Sequence, residues 1–282
     1  MKKWIKRIGI TLVSILVLLL LGIFFINESL PEGEAGAEAD ALARKMMEAV
    51  NDKAWQETGA VSWVFAGARQ HLWDRERHFA RVAWDGNLVL VDINQKDGVV
   101  QKKNFETSAT DEELILKAWE IWVNDSFWLN PVSKVFDPGT IRKKVSSKGG
   151  EEALLITYQS GGATPGDSYL WILDENGLPK AWKLWVSIVP IGGLTFSWDE
   201  WVTLPTGVKV SAFHHSVVKD LRLDEIKAAR NLEALLGGED PFEVLVTSSP
   251  EPENKPSQPE ETPSDATDTI PDTQQEEIPI NQ

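Results

Sequence analysis

Residues 8–26 read IGITLVSILVLLLLGIFFI, a continuous uncharged run in which only Thr11 and Ser14 are mildly polar. At 1.5 Å per residue such a run makes a helix about 28 Å long, close to the roughly 30 Å hydrocarbon core of a bilayer. A transmembrane anchor is therefore expected over 8–26. Beyond it the spacing changes. Leu42, Met46 and Val50 recur every four residues and predict a helix over 38–50, with Trp55 extending its contact. Val61, Trp63 and Phe65 then alternate with Ser62, Val64 and Ala66, the period of a strand. Further strands are expected over 79–84 and 88–93, punctuated by turns at Asp74-Arg75-Glu76-Arg77, Asp85-Gly86-Asn87 and 94–98.

A second helix is predicted over 111–124, capped by Thr110 with Glu113 three residues on, its apolar face formed by Leu114, Ala118, Ile121 and Trp122. Ser126-Phe127-Trp128-Leu129 follows as a short apolar knot, with turns at Asn130-Pro131 and Asp137-Pro138-Gly139. The second half is again strand-like. Segments 141–145 and 153–158 flank a hairpin loop at 146–150. Tyr169, Trp171 and Leu173 share a face, Trp182, Leu184 and Val186 share another, and Glu175-Asn176-Gly177 makes a turn between them. Phe196 and Trp198 share the next face, and Val208, Val210 and Ala212 the one after. Ile226, Ala229, Leu232 and Leu236 predict a third helix over 224–236, stopped by Gly237-Gly238.

This order gives an α+β chain: a strongly curved antiparallel sheet, an open half-barrel, with helices packed on its concave side, plus one N-terminal transmembrane helix. The expected segments are a cytoplasmic basic stretch at 1–7, the anchor at 8–26, a short linker at 27–34, an extracytoplasmic domain at 35–247 and a disordered, acidic, Pro-rich tail at 248–282. The tail has no aromatic residue and cannot bury enough surface to offset its ordering entropy.

Charge orients the anchor. Lys2, Lys3, Lys6 and Arg7 precede the apolar run, and Glu28, Glu32, Glu34, Glu38 and Asp40 follow it. The positive-inside bias places the first residues in the cytoplasm and the rest outside, as in a single-pass protein of a bacterial cytoplasmic membrane. A cleaved signal peptide is the alternative, with Ala35-Gly36-Ala37 as its exit; its apolar core would usually be shorter. The net charge of −15 argues against nucleic acid as a partner and against broad adsorption to anionic lipid. With no cysteine there is no disulfide and no thiol ligand.

Thirteen tryptophans require a broad core or an aromatic-lined cavity. Trp63, Phe65, Trp84, Trp128, Trp171, Trp182, Trp185 and Trp198 are the candidate walls, although Trp182 and Trp185 differ in strand parity. Asn124 and Asp125 are polar candidates where the second helix closes. The four histidines make no compact metal motif: His214 and His215 face opposite ways, while His71 and His78 lie near Asp74. The pairs Asp199/Glu200 and Asp174/Glu175 allow a glycan-directed enzyme, a weak reading because many acidic pairs pass so loose a test. There is no Gly-x-Ser-x-Gly elbow, and the Gly-rich stretch 161–166 lacks the lysine of a phosphate loop. No catalytic residue, metal site or cofactor is assigned.

Asn124-Asp125-Ser126-Phe127-Trp128-Leu129 with Asp137-Pro138-Gly139, and later Trp171-Ile172-Leu173-Asp174, Asn176-Gly177-Leu178-Pro179 and Trp182, resemble passages of uncharacterised bacterial envelope proteins related to the lipoprotein-carrier and sensor superfamily. The resemblance spans roughly residues 45–220. It implies a half-barrel closed by helices, with an acyl chain or lipid-linked group as ligand. A fixed anchor departs from the soluble carriers, and no catalytic pattern comes across. Two functions follow as expectations: a membrane-tethered module binding lipid in an aromatic cavity, or a solid-core domain that engages an envelope protein partner.

Overall fold

The computed structural model describes residues 27–146, 152–161 and 164–248, together with Trp4, Arg7, Ile8, Thr11 and Ser14. Most of the predicted anchor, the 146–150 loop beyond Ser146, part of the 161–166 stretch and nearly all of the predicted tail lie outside the described residues. No helix among the described residues is long and apolar enough to cross a membrane.

The chain has an α+β fold with large antiparallel sheets and few helices. Helix α1 (Ala37–Ala49) buries Ala39, Leu42, Ala43 and Met46, the face expected from their spacing. The short helix α2 (Asp52–Gln56) seats Trp55 in the core. Strands β1 (Ala60–Phe65), β2 (Arg69–Asp74), β3 (Phe79–Trp84), β4 (Asn87–Asp92) and β5 (Asp97–Lys102) form a meander. Helix α3 (Asp111–Leu129) follows, opened by a reciprocal capping box between Thr110 and Glu113. It is five residues longer than predicted. The apolar knot 126–129 is its last turn, and Pro131 opens the 3₁₀ turn Pro131–Lys134 beyond it.

Strands β6 (Thr140–Ser146), β7 (Glu152–Tyr158), β8 (Ser168–Leu173), β9 (Pro179–Trp185) and β10 (Leu194–Ser197) make a five-stranded sheet in the order β10-β9-β8-β7-β6. Strands β11 (Asp199–Thr203), β12 (Lys209–His214) and β13 (Leu221–Ala229) extend the first meander to eight strands, in the order β11-β12-β13-β1-β2-β3-β4-β5. No sheet among the described strands closes into a barrel.

Only Trp198 separates β10 from β11, and the pairing passes through it. The Ser197 amide donates to the His215 carbonyl (2.9 Å) and the Trp198 amide to the Lys180 carbonyl (2.7 Å). One extended segment thus borders β9 on one side and β12 on the other.

Residues 224–236 do not form the single helix predicted for them. Residues 221–229 are strand β13, paired with β1 and β12, and only α4 (Leu232–Leu236) is helical. Leu221, Leu223 and Ala228 face the core, and Glu225 adopts a positive φ of 52° beside a register shift opposite Ser62/Val64. That irregularity breaks the strand's alternation and leaves an accidental helical spacing. The long-range pairing with β1 outweighs the local pattern.

One main core contains Trp63, Val82, Val89, Leu154, Ile156, Trp171, Trp182 and Val210 from both sheets, with α1 and α3 packed against it. The opposite face of the eight-stranded sheet is covered by α4 and by α5 (Glu243–Ser248), through Leu232, Phe242 and Leu245 on Leu72 and Leu90.

Candidate functional site

The densest aromatic group lies where the last turn of α3 meets the five-stranded sheet. Strand parity turns Tyr169 and Trp171 of β8, and Trp182 of β9, to the inner face. Phe127 and Trp128 descend on them from α3. The Trp182 ring is central, with centroids of Phe127, Trp128, Tyr169, Trp171 and Trp198 at 5.9, 4.8, 4.8, 4.9 and 5.0 Å. Trp198 continues the group to His214 (4.4 Å), which also meets Trp128 (5.1 Å). Phe127 leads in the other direction to Tyr158 (5.5 Å).

Several polar atoms in this group are buried without a hydrogen-bond partner: the indole nitrogens of Trp171, Trp182 and Trp198, the Tyr158 hydroxyl and His214 Nε2. His214 Nδ1 donates to the Ser197 carbonyl at 3.0 Å, which leaves Nε2 as a bare acceptor. Burial pushes the His214 imidazole down to about 4, against the opposing pulls of that carbonyl and of Asp199. Burial likewise raises the Tyr158 and Tyr169 phenols, so both stay protonated. The group is thus uncharged at neutral pH.

A second polar cluster lies under α3. Asp125 is fully buried; one carboxylate oxygen accepts from Arg69 (2.8 Å) and the other from His71 Nε2 (2.8 Å). His71 stacks on Trp63 at 4.5 Å, and Arg69 lies over Phe65 at 4.8 Å. Burial lowers the His71 pKa even though Asp125 pulls it upward. Asn124 is exposed and donates to Asp125 at 2.8 Å.

Comparison with known proteins adds little. No family model matches the chain, and no curated protein does. Two crystal structures are similar in outline. A DUF1329 family protein from Desulfovibrio piger shares 9% identity, with 74% of this chain and 97% of that chain covered at a TM-score of 0.36. A domain named as an outer membrane lipoprotein-sorting protein, from Vibrio parahaemolyticus, shares 9% identity, with 66% and 93% covered at a TM-score of 0.29. Neither likeness bears on what this chain does.

Of the eight wall candidates, Trp128, Trp171, Trp182 and Trp198 meet in one group, while Trp63 and Phe65 lie with the Asp125 cluster. Trp84 is half-buried at the end of β3. Trp185 points to the other face, as its parity requires, and its indole donates to the Glu28 carbonyl at 2.8 Å. His214 was visible in principle, since it lies two residues beyond Ala212 on the same strand face. His71 pairs with Asp125 and is not grouped with His78. No group of three or more His, Asp or Glu residues among the described residues is arranged to hold a metal. Glu200 accepts from both terminal guanidinium nitrogens of Arg222 (2.7 and 2.8 Å), and Asp199 accepts from the Ser197 hydroxyl. Open clefts mark the surface of the described residues, two of them as follows. One, of about 540 Å³, is lined by Arg81, Asp240 and Glu243; the other, of about 320 Å³, by Gln70, Trp84 and Lys102.

Proposed function

We propose that this chain is a non-enzymatic envelope module. Residues 8–26 anchor it in the bacterial cytoplasmic membrane, with the first residues in the cytoplasm. Its antiparallel sheet curves as an open half-barrel around α1 and α3 and takes a lipid acyl chain against the aromatic interior. One observation carries the ligand: three indole donors, a phenol and an imidazole acceptor are buried together without partners. Buried indoles and phenols usually find a partner, and leaving one unmet costs about 1–3 kcal/mol. Edge-on ring faces accept N–H groups weakly. An ester or carboxyl group at the head of an acyl chain offers the indoles oxygen acceptors. A protonated carboxyl could also donate to His214 Nε2. Each methylene that leaves water for the aromatic wall adds about 0.8 kcal/mol before ordering costs. Phe127 and Trp128 occupy the interior as a plug, so entry requires the last turn of α3 to lift.

Gentle solubilisation of the full-length protein should recover bound lipid by mass spectrometry. Trp171→Phe and Trp198→Phe, which remove donors while keeping an aromatic ring, should reduce the recovered amount without loss of fold. Purification free of lipid, with these variants indistinguishable from the parent, would defeat the ligand.

A second reading is an assembly domain with a solid core. The mutual packing of the rings favours it. In that case crosslinking in envelopes should capture a specific protein partner that depends on residues 35–247. Capture that persists after deletion of that region would rule the reading out.

A further inference from the structure

Strand β6 ends the five-stranded sheet, and the chain wraps around that end. Helix α1 packs on the inner face, where Arg142 of β6 holds Asp40 at 2.6 Å. Residues 27–34 are fastened to the outer face at two places. At β9 the Glu28 amide donates to the Gly192 carbonyl (3.0 Å), Lys183 Nζ donates to both Glu28 carboxylate oxygens at 2.7 Å, and the Trp185 indole holds the Glu28 carbonyl. At β6 the Glu34 amide donates to the Lys144 carbonyl (2.9 Å) and the Lys144 amide to the Glu34 carbonyl (2.8 Å). A Cβ on Gly33 would meet the Lys144 carbonyl oxygen at 2.7 Å and Val145 at 2.8 Å, so this close seat requires glycine.

The register fixes what lies between the two fastenings. Lys143, Leu155, Leu170 and Lys183 are successive partners across β6, β7, β8 and β9, and they share the outer face. Four neighbouring strands span about 14 Å, and the steps from Glu28 to Gly33 reach about 17 Å when extended. The segment therefore crosses β8 and β7 directly, as a strap with little slack. Leu155 is 2% exposed on this face and clusters with Val145, Ala153 and Leu170, apart from the main core.

The crossing has a chemical pattern. Its floor reads Lys, Leu, Leu, Lys, and β6 adds Arg142 and Lys144, in a chain whose net charge is −15. The strap carries Glu28 before and Glu32 and Glu34 after the apolar pair Leu30-Pro31. Its ion pair is accessible, at 27% for Lys183 and 51% for Glu28, and such pairs hold weakly. Beyond the strap Gly36 has a φ of 133° and open space around its Cβ position, a hinge before α1.

We propose that this outer face, from β6 to β9, is a docking groove for an acidic extended peptide with an apolar centre, and that residues 27–34 close it as a resident pseudo-ligand. Charge complementarity names the partner: lysines at both ends of an apolar floor favour carboxylates on either side of a short apolar run. The run Arg142-Lys143-Lys144 rejects an identical strand, so two copies do not pair through β6. Tethered in cis, the strap competes at an effective concentration of about a millimolar, and a partner gains the groove once the strap is released. Such a groove needs neither the anchor nor an acyl ligand in the core.

Full-length protein in mild detergent is the host for a trans-binding assay. Gly33→Val drives a branched side chain against the Lys144 carbonyl and should free the strap. Glu28→Lys, at an exposed position that leaves the core untouched, opposes Lys183 and should free the strap from its other end. A fluorescein-labelled peptide with the sequence of residues 27–36 is titrated by anisotropy. Both variants should bind it about tenfold or more tightly than the parent, whose groove is filled in cis. Added salt should weaken that binding. A peptide with lysine in place of each glutamate should bind the variants about tenfold or more weakly than the acidic one. Equal affinity of parent and variants, equal affinity for the two peptides, or no binding to Glu28→Lys with its circular dichroism unchanged would each overturn the groove.

Discussion

Asp125 ties helix α3 to strand β2 through a carboxylate that cannot reach water. Replacing it with asparagine leaves the His71 ring and the Arg69 guanidinium facing a neutral amide. Removing one partner of such a pair costs about 3 kcal/mol, reduced here because Arg69 is partly exposed. Urea unfolding of Asp125→Asn should show that loss, whereas Asn124→Ala, at an exposed position, should stay near the parent. Histidine burial sets the acid response. His214 is held neutral with a pKa of about 4, below the roughly 6.5 of an unfolded chain. Between those values the unfolded state binds the extra proton. Stability is therefore full above about pH 6.5 and falls by on the order of 3 kcal/mol as the pH drops to 4. His71 is shifted in the same direction and steepens the fall. His214→Gln should flatten the slope of the unfolding midpoint over that window; an unchanged slope would remove His214 as its source. Asp125 could be singled out from the sequence as a polar group closing the second helix within the passage that carries the resemblance, but its partners could not. Strand β2, which carries both, has few β-branched residues and was absent from the period-2 reading.

Helix α3 was legible at its start and less so at its end. Thr110 and Glu113 satisfy each other's orphan amides, with Thr110 N–H to Glu113 Oε2 at 2.7 Å and Glu113 N–H to Thr110 Oγ1 at 3.2 Å. Thr110→Ala should destabilise the fold by about 1 kcal/mol, and Thr110→Asp should restore most of it, read as shifts in the urea midpoint. The end was misjudged because Ser126-Phe127-Trp128-Leu129 favours no conformation on its own. Those residues are helical because Phe127 and Trp128 pack against Tyr169 and Trp182, contacts to strands some forty residues or more away. The same cause produced the error at β13: its pairing with β1 joins residues more than 150 positions apart, which no local period reports. Elements that pair with near neighbours, such as β3 with β4 and β6 with β7, lie close to their expected spans.

The segment through Trp198 is where the two sheets meet. The hydrogen bonds of Ser197 and Trp198 carry the pairing from β9 to β12, and the Trp198 ring joins Trp171 and Trp182 of one sheet to His214 of the other. The order of the sheets could not be read beforehand, since alternation tells which face a residue takes but not which strand lies beside it. A shared core makes a shared fate: neither sheet can open without exposing indoles that the other covers. Far-UV circular dichroism, which senses both sheets, and tryptophan fluorescence, weighted toward the interior, should therefore report one urea midpoint. Trp198→Ala sharpens the test because it hollows out the junction itself. Its cost should be about 3–5 kcal/mol, the range for truncating a buried aromatic ring. If the sheets are one cooperative unit, both signals move together to a lower midpoint. Two separated transitions would mean that the strands on either side of Trp198 are stable alone, and that the interior is a seam between two bodies.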